Sequence, residues 1–297
     1  MTKKIRGPDE IQRVAVEGGE VVTYSFGSGN DVIFLLHGGP SLRSDHLQHT
    51  HAFLADYGYR VVTFDQLGTG KSDKPDNPAL WTIERIAKEA DTVRQKLNLG
   101  KVHLYGQSFG AMLAMEVALT FPDSLKSLVI AHGCASGQGR QREVDRLIAD
   151  LGPEFVRMRR RHEFNGTMDH PEYQASETLL WHRHVVRMEE WPAELVEAAP
   201  LMNQQVVEAL FGTVSHITGN LKNWNRLPDL NKINVPTLIF TGEHDWQTPE
   251  LSFEMYREIP NAHLHIFRNV AHMSMYECPD EYRALLTNFW DKCCDKK

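Results

Sequence analysis

Gly106-Gln107-Ser108-Phe109-Gly110 is the stretch of this chain best suited to covalent chemistry. It follows the run KVHLY and precedes the helix-forming run AMLAMEVAL, so the serine stands at a sharp strand-to-helix turn. Glycines two residues to either side let strand and helix approach without Cβ clashes, and the hydroxyl is presented at the positive end of the helix. A serine so placed is a candidate nucleophile. Its hydroxyl is too weak an acid to ionise near neutral pH unaided, so a base is required. Fifteen histidines are present, and only order and context choose among them. Asp245 in TGEHD and His272 in NVAHMSMYE each fall just past an apolar run, in the chain order nucleophile, acid, base. Asp245 would orient the imidazole and His272 would carry the proton. Glu243 is the competing acid, nearer the strand. Two N–H donors for a developing oxyanion are expected from Gly39, in His37-Gly38-Gly39-Pro40, and from Phe109; Pro40 has no N–H to offer.

The elements that must hold these groups alternate along the chain. Residues 21–26, 32–36, 61–64, 102–105, 128–131, 236–241 and 263–267 read as strands, several apolar throughout, as a sheet covered on both faces requires. The clearest helix starts after Thr82 as N-cap, carries Ile83, Ile86, Ala90, Val93 and Leu97 on one face, and stops at Gly100. A last helix covers 279–293. The predicted fold is α/β: a mostly parallel central sheet with helices on both faces, residues 1–133 forming its first part and 227–297 its second. Residues 134–226 lack strand signals and are rich in arginine, histidine and tryptophan, which predicts an inserted helical cap.

With 39 acidic and 32 basic side chains among 297 residues, the formal net charge of −7 argues against non-specific nucleic-acid or anionic-membrane partners. No run approaches the roughly 20 apolar residues of a membrane-spanning helix. The N-terminal MTKKIRGPDEIQ lacks the apolar region of a secretory signal, and Cys134, Cys278, Cys293 and Cys294 show no CxxC spacing. Reduced thiols in the cytoplasm are expected. Gly70-Lys71-Ser72 ends like a phosphate loop, but the pattern needs a glycine where Asp65 stands. His46, His49 and His51, or His182 and His184, have no acidic or cysteine ligand at a recognised spacing, so neither a metal nor a cofactor is expected. The arginines at 157, 159, 160 and 161 read as a solvated helix face.

HGGP, DQLGTGKS, GQSFG, GEHD and NVAHMSMYE, in that order, resemble the α/β-hydrolases, and within them the proline iminopeptidase family. The stretches HVVRMEEWPAELVEA and ITGNLKNW extend the resemblance through the cap. It implies an α/β-hydrolase fold, catalysis by Ser108, Asp245 and His272, and an oxyanion site at Gly39 and Phe109. Aminopeptidases of that family hold the substrate's free amine with two acids, one in the cap just before the ITG stretch and one directly after the catalytic aspartate. Here 211–216 contains no acid, Trp246 follows Asp245, and Ser41 stands where the family usually has glycine. A buried ammonium would lack its counter-charge. The expectation is therefore a cofactor-free serine hydrolase acting through an acyl-enzyme on an ester, amide or lactone of a small, partly apolar substrate. Trp246, Phe211 and Trp181, with Trp191 and Trp224, are candidates to line its pocket, although packing alone would also account for all but Trp246. One alternative is a proline iminopeptidase that anchors the amine through Glu208 or another cap carboxylate; a second, from outside the enzymes, is a ligand-binding protein on a hydrolase fold. Oligomeric state is not legible.

Overall fold

A computed structural model describes residues 6–293; the beginning of the N-terminal stretch and Cys294 lie outside the described residues. Eight strands form one sheet: β1 (Glu10–Val16), β2 (Gly19–Phe26), β3 (Val32–Leu36), β4 (Arg60–Asp65), β5 (Val102–Gln107), β6 (Leu125–Ala131), β7 (Thr237–Gly242) and β8 (Ala262–Phe267), in the order β1-β2-β4-β3-β5-β6-β7-β8. β2 is antiparallel to β1 and β4, and all pairs from β4 to β8 are parallel. Helices α1 (Asp45–His51), α2 (Ile83–Lys96) and α3 (Phe109–Thr120) belong to the first part, and α9 (Pro249–Glu258), α10 (Ser274–Glu277) and α11 (Pro279–Cys293) to the last. Between β6 and β7 lie α4 (Gly137–Ala149), α5 (Pro153–Asn165), α6 (Pro171–His184), α7 (Ala193–Ala198) and α8 (Gln204–Leu210).

Alternation along the strands explains their unbroken apolar runs. Phe34, Val62, Leu104, Ile130 and Ile239 enter one core with Ile86 of α2, Met112 of α3 and Met255 of α9. Ile33, Val61, Tyr105, Val129 and Leu238 enter the other, with Leu47 of α1 and Leu286 and Trp290 of α11. Because both faces are covered, neither parity can be polar. Thr82 caps α2 as predicted, its hydroxyl accepting the Arg85 N–H at 3.3 Å. β1 was missed by the sequence reading, whose first strand covers residues 21–26. It is a mostly exposed edge strand whose EIQRVAV sequence buries only Val14, so no apolar run marks its start.

The two ends of the helical insertion lie side by side. Ser136 bridges to Asn225, and the Arg226 N–H donates to the Ala135 carbonyl at 2.8 Å. The Arg226 guanidinium then grips Glu116 of α3 at 2.6 and 2.8 Å, and the same carboxylate accepts the Trp224 indole N–H at 3.1 Å. Within the insertion, Arg157 and Arg161 are exposed, as the charge run predicts, but Arg159 is buried. It donates to Ser176, Tyr173, Glu177 and Ser215 at 2.7–2.8 Å, joining α5 to α6. A cation withdrawn from water needs such a partner set, and Glu177 supplies the charge.

The turn from β5 into α3 has no room for a side chain at either of its two glycines. A Cβ on Gly106 would stand 2.0 Å from the Gly110 carbonyl oxygen, and one on Gly110 would stand 2.1 Å from that of Leu36. Gly110→Ala should therefore destabilise the protein by about 1–3 kcal/mol or more, through forced displacement of β3 from α3. Urea denaturation measures this; an unchanged midpoint would contradict the packing described.

Candidate active site

Ser108 sits at that turn with φ 59° and ψ −120°, a conformation that L residues rarely adopt. Neighbouring hydrogen bonds hold it there: its N–H donates to Ala131 at 2.9 Å, and its carbonyl accepts from Ala111 and Met112 at 2.9 and 3.3 Å. The 12-residue α3 begins immediately after it, directing the positive end of its dipole at the serine. Phe109 is the first residue of α3, so its N–H has no acceptor four residues back in the helix. The loop after β3 lies against the serine from the other side, since a Cβ on Gly38 would meet Ser108 Cβ at 2.8 Å. His37 fixes that loop: its Nε2 accepts the Gln66 N–H and its carbonyl the Gln66 side-chain amide, both at 3.0 Å. Ser41, at φ 69°, accepts the Asn203 N–H at 2.9 Å and so ties the start of α8 to the core.

Asp245 follows β7 and is buried. Its Oδ1 accepts from His272 Nδ1 at 2.8 Å and from the Gln247 N–H at 2.7 Å; its Oδ2 accepts from the Thr241 hydroxyl at 2.8 Å and from His132 Nδ1 at 2.6 Å. Burial alone would raise its pKa, but the charge of His272 and the hydrogen bonds from both imidazoles outweigh it and hold the carboxyl well below the usual range. Glu243, the competing acid, instead accepts the Asn269 N–H at 2.9 Å. His272 is buried beyond β8, and its own N–H donates to Val185 of the insertion at 3.1 Å. His272 and Ser108 line one cavity. No hydrogen bond joins their side chains among the described residues, and a nucleophile and base in this arrangement do not depend on one before a substrate is bound.

That cavity has a volume of about 60 Å³, and its walls include Gly39, Trp181, Trp191, Met202, Val214 and Trp246. The Trp181 and Trp191 rings are stacked at 6.0 Å, with Trp246 edge-on to Trp181 at 6.2 Å. Phe211 and Trp224, two of the sequence-stated candidates, are not among its lining residues. Phe211 packs edge-on against Phe109 at 6.2 Å, while Trp224 is committed to Glu116. A larger groove, about 780 Å³, shares Trp181, Trp191 and Val214 with the cavity and carries Glu177, Glu189 and Glu208.

Two buried neighbours of these groups escaped the sequence reading. His132 is the residue directly after β6, the strand between β5 and β7, and the rule that open α/β sheets build sites at carboxyl ends of strands would have picked it out. Arg140 of α4 had no local signal. Its buried guanidinium lies 5.1 Å over the Trp246 ring and 5.4 Å over Phe211, donating to the Val214 carbonyl at 2.7 Å.

The ligand atoms of His132, Asp245 and His272 lie within 4.8 Å of one another, as do those of His162, His170 and Glu172 on the insertion. In the first group both oxygens and both Nδ1 atoms are engaged in the hydrogen bonds above, and in the second Glu172 is paired with Arg161 at 2.6 Å. Of the histidines weighed in the sequence as ligands, His51 joins the Leu47 carbonyl to the Tyr282 hydroxyl, His46 bonds to the Arg43 carbonyl, and His184 bonds to that of His244.

A family profile described as alpha/beta hydrolase fold matches residues 31–279. The chain belongs to that family. It is 34% identical to a proline iminopeptidase of Heyndrickxia coagulans over 93% of this chain and 96% of the relative. The crystal structure of VinJ superimposes with a TM-score of 0.90 at 28% identity, covering 96% of this chain and 99% of the other. The proline iminopeptidase of Mycobacterium smegmatis gives 0.87 at 27%, covering 96% and 98%. This member is thus an enzyme, a hydrolase, and no helix among its described residues is long and apolar enough to cross a membrane.

The depressed pKa of Asp245 fixes the sign of an acid effect. Because the folded value lies below the unfolded one of about 3.9, the carboxylate's stabilisation is complete above that pH and is lost as the pH falls through the folded value. Urea unfolding should show a free energy that declines below about pH 4, with a shallower decline in Asp245→Asn. Equal slopes would contradict the hydrogen-bonded, ionised carboxylate.

Proposed function

We propose that this hydrolase cleaves an ester, amide or lactone of a small, neutral, partly apolar acyl group through a Ser108-His272-Asp245 triad. The observation that carries the reading is the buried 2.8 Å bond from His272 to Asp245, behind an imidazole that shares one cavity with a strained Ser108. His272 Nε2 takes the Ser108 proton as Oγ attacks the carbonyl carbon; the oxyanion rests on the Gly39 and Phe109 N–H groups. The tetrahedral adduct collapses, the leaving group departs with the proton from His272, and water repeats the sequence to free the acid. No step calls for a cofactor.

The acyl preference follows from charge and space. A free ammonium beside Trp246 would meet Arg140, a buried cation, and no carboxylate lines the inner cavity. The inner cavity, about 60 Å³, is walled mainly by aliphatic and aromatic side chains, which suits a small apolar acyl chain. The leaving group would extend past Trp181 and Trp191 into the larger groove, with residues 134–226 acting as the cap. A second reading, release of an N-terminal residue from peptides, draws on the relatives named proline iminopeptidase. In that case the amine would reach Glu208, which lines the outer groove and not the inner cavity. Free thiols at Cys134 and Cys278 support a reducing, cytoplasmic setting. The net charge of −7 supports small-molecule substrates over nucleic acid or anionic membranes.

Ser108→Ala should lose at least about 10³-fold in kcat with an unchanged circular dichroism spectrum, and a fluorophosphonate should label only the native serine. Retained turnover would overturn the assignment. Aryl esters of short acids and N-acylated arylamides should be cleaved in preference to free-amine prolyl arylamides; a strict requirement for the free amine would establish the second reading instead. Trp191→Ala should shift the preference toward longer acyl chains, measured as kcat/KM along a series of p-nitrophenyl esters.

A further inference from the structure

We propose that His132 is a positioning residue for the acid–base pair, a neutral imidazole that bridges Asp245 Oδ2 to Ser274 Oγ and so sets how Oδ1 meets His272. The proposal rests on the triad reading above. His132 stands immediately past β6 at φ 53°, in the left-handed region that few residues other than glycine occupy. Its backbone is pinned there by an N–H bond to the Phe240 carbonyl at 2.8 Å, and its ring lies edge-on to Phe240 at 5.4 Å and to His272 at 5.3 Å. A buried, strained residue with both ring nitrogens engaged is fixed by more than packing.

The proton positions follow from the partners. An ionised carboxylate only accepts, so His132 Nδ1 carries a proton and donates to Asp245 Oδ2 at 2.6 Å. In the neutral ring Nε2 is then an acceptor, and it takes the Ser274 hydroxyl proton at 2.7 Å. Burial favours this uncharged form and pushes the His132 pKa down, against the pull of Asp245. The ionisable groups facing it are Asp245 from the loop after β7, and His272 and Glu277 from the segment after β8; Glu277 is itself occupied by the Ala271 and Met273 N–H groups at 3.0 and 3.3 Å.

Two consequences separate this role from mere filling of space. Ser274 lies two residues beyond His272, so the bridge couples the loop that carries the acid to the segment that carries the base. The hydrogen bond also draws charge from Asp245. Without it the carboxylate would stabilise protonated His272 more strongly, and the acid limb of kcat/KM would move to higher pH.

The test compares His132→Leu, which removes the donor, with His132→Asn, whose amide can replace Nδ1 and whose backbone tolerates positive φ. His132→Leu should lower kcat by about 10- to 100-fold with KM within about twofold, and raise the acid limb by about half a unit to one unit. His132→Asn should recover kcat to within about threefold of the native enzyme, with a native acid limb. Ser274→Ala, which leaves the ring in place, should lose about 3- to 10-fold in kcat and covers the case in which the leucine variant fails to fold. A folded His132→Leu enzyme with native kcat and pH profile would overturn the proposal. So would an asparagine variant no better than the leucine, or native kinetics in Ser274→Ala when the leucine variant does not fold. The triad reading fails separately, if Ser108→Ala still turns over.

Discussion

A carboxylate cut off from water survives in its charged form only where donors replace the water, and Asp245 gathers four from separate parts of the chain. Thr241 comes from the end of β7, the Gln247 N–H from the loop that follows, His132 from the end of β6 and His272 from beyond β8. Three neighbouring strands must therefore end at the same level for the charge to be tolerated. The parallel ladder that sets those ends is paired residue by residue, Ala131 with Phe240 and Gly242 with Phe267, so a slip in register would strip the carboxylate of partners. Fold and charge are thus conditions of each other.

The same dependence explains what could be read from sequence. Ser108, Asp245 and His272 were legible because each follows a strand signal and each residue type has a chemical reason to stand there; Gly106 and Gly110 were legible because the turn forbids a side chain at either position. The apolar strands and the Thr82 cap were visible for the same local reasons. Contacts between segments with no sequence relation were not. Arg140 belongs to a polar helix, and only the folded insertion lays its guanidinium over Trp246. Arg159 sat within a run of charges, and only its neighbours in α6 make its burial tolerable. Phe211 looked like a pocket residue by composition, yet it faces Phe109. β1 was missed because an exposed edge strand needs only one apolar face.

Core and insertion divide the work at the site. Ser108, Asp245 and His272 all lie in segments that follow strands, whereas Trp181, Trp191 and Val214 come from helical or irregular segments of the insertion. The partition reaches into electrostatics. The inner cavity has a buried guanidinium behind its aromatic wall, and the outer groove carries Glu177, Glu189 and Glu208.

Ser136 pairing with Asn225, and Arg226 clasping Glu116, mean that ninety residues leave and rejoin the sheet through one narrow neck. Beyond that neck the insertion is still tied to the site, by the Val185 carbonyl on the His272 N–H and by the Asn203 N–H on Ser41. A lineage that rebuilds what hangs from the neck must therefore keep these ties or reset the loops that carry His272 and Ser41.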